Sequence, residues 1–131
     1  MLRVKTFIAI SPGIGLGLFA AQHIPIGTVT WRYDPKIDYT VAPDAFDRLD
    51  ELTKAFLIKF AYFDHALDRY ILPLDDQRFI NHSEKLFNIR SQTDIDVAWH
   101  EIKHGEELLC DYRHFEIDYF ERRGIDPSGW V

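Results

Sequence analysis

The chain opens on short, turn-bounded apolar runs. Residues 3–10, "RVKTFIAI", alternate and are rich in branched side chains, which predicts a strand. "SPGIGLG" (11–17) predicts a turn containing three glycines, and "GLFAAQHIPIGTVTWRY" (17–33) resumes short strands broken at Pro25 and Gly27. From Pro43 to about His65 the period changes. Phe46, Leu49, Thr53, Phe56, Leu57, Phe60 and Phe63 fall at steps of three and four, which predicts a helical stripe facing a core. "RYILPL" (69–74) reads as a strand followed by a turn at "DDQ", and "IRSQTDIDVAWHEI" (89–102) reads as further strands. Gly105 marks the turn before "EELLCDY", and the tail from Arg113 begins as a short helix and ends in a Gly-, Pro- and Ser-containing stretch with Trp130. Short strands around one helical insert predict a single, mainly β domain of the α+β class.

Composition narrows the partners. With 47% hydrophobic residues in 131, the chain buries one core and is not a disordered segment. Ten Phe, six Tyr and three Trp exceed what so small a core hides, so some should line a cleft or a partner surface. A net charge of -6 without a dense Lys/Arg run argues against direct nucleic-acid binding and suits a basic partner such as a lysine-rich peptide. The apolar run at the N-terminus is too short for a secretory signal, and nothing approaches a membrane span. An intracellular, soluble chain is expected.

Several local patterns invite chemistry and fail on context. Gly13, Gly15 and Gly17 miss the spacing of a dinucleotide fingerprint, and Pro25 stops any following helix. "HEIKH" is a literal H-E-x-x-H, and Glu116 or Glu121 would serve as a third ligand. However, the strand-like "DIDVAW" before it and Gly105 after it do not set His100 and His104 one helical turn apart. No metal site is assigned. Cys110 is the only cysteine, so no internal disulfide forms, and its apolar neighbours make it a core residue.

Two dense runs remain, "RFINHSEKLFN" (78–88) and "IKHGEELLCDY" (102–112). Together with "GIGLGLFAAQHIPIGT" (13–28) they occur in the order found in SET-domain lysine methyltransferases. The first run resembles that family's R-F-x-N-H-S signature and the second its I-x-x-G-E-E-L-x-x-D-Y signature. The third segment resembles its glycine-rich opening. The resemblance implies small curved β-sheets, with the two later motifs meeting in a knot-like crossing (a C-terminal pseudoknot). S-adenosylmethionine would lie on one side and the substrate lysine would enter from the other. It implies a SET domain over 1–115 with the helical insert at about 43–65, and a flanking segment of the same domain over 116–131.

Carried over residue by residue, the resemblance places Ile14, Gly15, Leu16 and Gly17 against the cofactor's methionine end. Arg78, Asn81 and His82 fall on the adenosine side, and Tyr112 is the catalytic tyrosine. The implied substrate is a lysine in a protein or basic peptide, and the smallest stand-alone members include homodimers. A non-catalytic module of the same fold, binding the cofactor or a basic peptide, is the alternative. Two departures stand out. Ser83 is followed by Glu-Lys-Leu-Phe before Asn88, one residue longer than the family's N-H-S-C-x-P-N and without its Cys and Pro. No cysteine-rich segment follows Tyr112, so the tail from Phe115 or a second subunit must complete the lysine channel. Trp130 is a further candidate for that cover.

Overall fold

The computed structural model describes residues 1–92 and 94–129; Trp130 lies outside the described residues. Among the described residues, ten strands form three sheets. β1 (Thr6–Ser11) and β2 (Gly15–Ala20) make an antiparallel hairpin. Its turn is shorter than "SPGIGLG" predicts. Gly13 takes a left-handed φ of +78°, and Gly15, which opens β2, has a φ of +129°, while Gly17 lies within β2. Leu18 and Ala20 are fully buried, whereas Ile10, Ile14 and Leu16 stay exposed.

The predicted helix is interrupted. α1 (Pro43–Asp47) ends before Asp50, whose carboxylate accepts hydrogen bonds from Thr53 N and Oγ and caps a second helix, α2 (Glu51–Phe60). The stripe does not continue to Phe63 as helix. Residues Tyr62–Asp64 form a strand, here β5, because β6 (Arg69–Leu72) supplies an edge that pairs Phe63 with Tyr70. With β4 (Tyr39–Val41) on its other edge, β6 centres a three-stranded sheet. This sheet and α2 enclose a small core of Val41, Leu57, Ala61, Phe63, Tyr70 and Leu72.

The larger core gathers Leu18, Ile24, Ile80, Ile89, Ala98, Ile102, Leu108 and Cys110. It lies against a five-stranded sheet in which β3 (Val29–Arg32), β9 (Ile95–Ala98) and β8 (Ile89–Gln92) are followed by β10 (Leu109–Cys110) and β7 (Asn81–His82). β10 runs parallel between β7 and β8, pairing Leu109 with Asn81 and Cys110 with both His82 and Ile89. The connection from His82 to Ile89 therefore has to cross over β10, and this crossing is the expected knot. Two-residue parallel strands satisfy few backbone groups, so side chains must complete the pairing. Asn88 does so. Its amide nitrogen donates to Glu107 O at 2.8 Å, its amide oxygen accepts from Leu109 N at 2.9 Å, and its backbone N–H donates to Leu109 O at 3.0 Å.

The longer loop after Ser83 thus leaves Asn88 able to staple the crossing. Replacing Asn88 by Ala strands two half-buried backbone groups. The expected loss in urea unfolding is about 2–4 kcal/mol, at one to two kcal/mol per group left without a partner.

The tail turns through a 3-10 segment (Tyr112–His114) into α3 (Tyr119–Arg123), later than "a short helix from Arg113" predicts. Glu116, fully buried, accepts from Phe63 N at 2.9 Å and from Arg123 at 2.8 Å, and so ties this tail to β5.

Candidate active site

The crossing fixes the residues around Tyr112. Asp111 receives both prongs of the Arg113 guanidinium, at 2.9 and 2.6 Å, and the Arg113 backbone N–H at 3.0 Å. Burial pushes the Asp111 carboxyl up, but these bonds outweigh it and hold the group ionised below the usual carboxylate range. One residue on, the Tyr112 backbone N–H donates to His82 Nδ1 at 3.1 Å, and the Tyr112 hydroxyl donates to the Ile80 carbonyl at 2.7 Å. The "FINH" and "CDY" runs are therefore joined side chain to backbone in both directions. Burial drives the Tyr112 phenol well above its ordinary value, so it is a neutral O–H at physiological pH. Burial likewise lowers the His82 imidazole, against the pull of Asp111, and the ring is neutral with an unprotonated Nδ1.

A cavity of about 430 Å³ opens beside this crossing. Tyr112, Ile80 and Arg78 form one wall. Phe60, Ala61 and Tyr62 come from α2 and β5, and Phe115, Ile117 and Tyr119 from the tail. Tyr112 stands 4.7 Å from Tyr119 and 5.3 Å from Phe115, centroid to centroid, and Tyr62 stands 5.2 Å from Phe115. These four rings make an aromatic enclosure around the phenol. The tail thus lines the cavity through Phe115, Ile117 and Tyr119.

The sequence-predicted residues divide into three groups. Tyr112 and Arg78 line the cavity. Asn81 and His82 stand behind it in β7. The His82 ring is packed 5.1 Å from Tyr112 and 5.0 Å from Phe120 in the interior, so it serves the crossing as well as any ligand. The glycine-rich residues Ile14, Gly15, Leu16 and Gly17 do not line the cavity. They connect to it through Asn81, whose Nδ2 donates to the Leu16 carbonyl and to Glu107 Oε1, both at 2.9 Å. Glu107 Oε2 accepts from Ser11 Oγ at 2.9 Å and closes this network. Gly17 allows this close approach: a Cβ there would displace the Glu107 carboxylate and press on the Asn81 amide. The Asn81 amide oxygen has no partner among the described residues and is open to a ligand donor.

Glu107, Asn88, Tyr62, Phe115 and Tyr119 were not singled out from the sequence as site residues. The step of three and then four from Tyr112 to Phe115 to Tyr119 was the available signal for the last two. "HEIKH" lies on no helix: Ile102 bridges Ile24, and His100 and His104 are exposed in the surrounding loop.

Asp96 was also missed. It is buried at the cavity wall, and burial raises its carboxyl to about 6. Between the unfolded carboxyl near pH 4 and this value, the native state holds one more proton than the unfolded chain, so this group costs stability as pH rises. We expect wild type minus Asp96→Asn, compared by denaturant unfolding, to fall by roughly 3 kcal/mol from pH 4 to pH 7. An unchanged difference across that window would contradict the enclosure.

A family model for the SET domain matches residues 15–113. No curated protein sequence matches significantly. Among solved structures, the Chaetomium thermophilum polycomb repressive complex 2 bound to S-adenosylmethionine is similar with a TM-score of 0.65 at 21% identity, covering 92% of this chain and 16% of that one. A second structure of that complex gives 0.63 at 22% identity, over 83% and 15%. A Plasmodium falciparum protein described as a candidate histone methyltransferase gives 0.59 at 19%, over 86% of this chain and 96% of its own. At these identities the structures share the fold, and this chain spans under a fifth of the polycomb chains. Together with the crossing of β7, β8 and β10 and the family model over most of its length, they establish that this chain belongs to the SET-domain family.

Proposed function

We propose that this protein transfers a methyl group from S-adenosylmethionine to the side-chain amine of a lysine in a protein or peptide. The observation that carries the reading is the crossing itself. It sets the Tyr112 hydroxyl on the Ile80 carbonyl at the wall of an aromatic cavity in a chain of this family. Residues 1–115 are taken as the SET core, and 116–131 as the segment that completes the channel.

The residues present fit the donor. The Asn81 amide oxygen is unpartnered beside the glycine-rich strand, where it would accept from an amino group. The phenol and carbonyl oxygens meet at one point of the wall, where they would face the donor's methyl group. In this reading Ile14, Gly15, Leu16 and Gly17 offer backbone to the methionine end. Arg78, Asn81 and His82 flank the adenosine side. Bound there, S-adenosylmethionine would supply an electrophilic methyl group on a sulfonium for the lysine nitrogen.

The chain's own residues do the rest. Lysine has a pKa of about 10.4 in water and attacks only as the neutral amine. The apolar walls of Tyr62, Phe115 and Tyr119 disfavour the ammonium and lower that value, and the proton leaves to water. Tyr112, neutral and held by Ile80, orients the nitrogen and offers its oxygen to the methyl hydrogens. Fixing both reactants in line is the main source of rate.

Calorimetric titration with S-adenosylmethionine tests the first half of this reading, and a lysine-peptide array with labelled methyl donor tests the second. Saturable donor binding with label on lysine is expected. Binding without label would make the chain a non-catalytic module, and no binding would overturn the proposal.

A further inference from the structure

One row of side chains in the cavity takes no part in the chemistry above. β9 places Asp96 between two register partners, Trp31 on β3 and Ser91 on β8, so the three side chains share one face across three strands. Gln77, from the 3-10 turn Asp76–Phe79, closes over the row. Asp96 accepts from Ser91 Oγ and from Gln77 Nε2, both at 2.5 Å. Both donors are neutral, and among the described residues no cation lies within ion-pair distance of this buried carboxylate, although the N-terminal ammonium lowers its pKa from farther away. Gln77 Oε1 and Trp31 Nε1 are also buried without partners, in residues 5% and 3% exposed. A buried carboxylate with no cation in contact, next to an unused carbonyl oxygen, is costly unless something fills the space beside it.

The surrounding charge points the same way. Asp64 and Asp94 line this cavity, and together with Asp96 they raise the Tyr62 phenol in addition to the effect of its burial. The cavity's cations are engaged elsewhere. Arg113 pairs with Asp111 and Glu84, and Arg78 and Lys59 lie over phenylalanine rings. We propose that the Trp31–Asp96–Ser91 row, capped by Gln77, is a subsite for a cationic side chain of the substrate other than the methylated lysine, best an arginine near it in sequence. A planar guanidinium reaches the Asp96 carboxylate and Gln77 Oε1 together and stacks on an indole. A neutral amide would match the free Trp31 N–H and Gln77 C=O but leave the carboxylate uncompensated.

This inference rests on the cavity being the substrate side of a lysine methyltransferase, and it is tested apart from catalysis. The probes are short fluorescent peptides with a single lysine and arginine at each neighbouring position in turn. Each has twins carrying citrulline or glutamine there. Binding is read by anisotropy with S-adenosylhomocysteine present. At one position or more, arginine should bind about tenfold tighter than either twin, and Asp96→Asn should bring that ratio close to one. A ratio near one everywhere in the wild type, a glutamine peptide as tight as arginine, or a preference that survives Asp96→Asn would each overturn it. If Asp96→Asn does not fold, Gln77→Met serves, and an unchanged arginine preference there refutes the subsite. Arginine preference without methyl transfer would sustain the subsite and refute the enzymatic reading; methyl transfer indifferent to arginine would do the reverse.

Discussion

Tyr112→Phe is expected to fold, to bind donor and to lose methyl transfer on the order of a hundredfold or more, with the loss in kcat. The phenol is neutral and its hydroxyl bonds only the Ile80 carbonyl, so its removal deletes an orienting oxygen and leaves the ring packed against Tyr119 and Phe115. The unpartnered Ile80 carbonyl should cost about 1 kcal/mol of stability, too little to unfold a domain. Single-turnover rates with labelled donor, alongside thermal unfolding, separate the two effects. A Tyr112→Phe protein as fast as wild type would remove the catalytic role assigned to this residue.

Glu116→Ala should be the most destabilising single change. The carboxylate is inaccessible and holds Phe63 N, Arg123 and, at 3.3 Å, Arg122. Arg123 in turn donates to the Ile58 and Ala61 carbonyls at the end of α2 and lies 3.6 Å over the Tyr119 ring. Removing the acid strands a buried guanidinium and a buried N–H, a loss of about 3–5 kcal/mol. In a domain of this size that lowers Tm by roughly 10 °C or more. Function should fall with stability, because the same tail carries Phe115 and Tyr119 into the cavity wall. An unchanged Tm would mean that the tail is held by something other than this ion pair.

Much of this architecture was legible because it is written in dense local motifs. "RFINHS" and "GEELLCDY" each place several hydrogen-bonding groups within a few residues, and the crossing needs them there. The strands of that crossing were not legible by period, since β7 and β10 are two residues long and show no alternation. The helical stripe is helix from Pro43 to Phe60 apart from the break between Asp47 and Glu51. Beyond Phe60, spacing alone could not show that pairing with β6 would turn Tyr62–Asp64 into a strand. Asp96 was invisible for a related reason. In "DIDVA" a half-buried reading turns the isoleucine and valine inward, but here Asp96 and Ala98 are buried and Ile95 and Val97 only partly so. The aromatic enclosure depends on a tail folded back by Glu116, whose carboxylate accepts from Phe63 N, 53 residues away, a contact with no local signature.

The most direct test of the central claim is mass spectrometry of lysine-containing proteins and peptides incubated with the purified chain and deuterated S-adenosylmethionine. A deuteromethyl group on a lysine side-chain nitrogen is expected with wild type, and its near-complete loss with Tyr112→Phe. Donor that binds at saturation yet leaves every lysine unmodified, across a broad set of basic sequences, would contradict it.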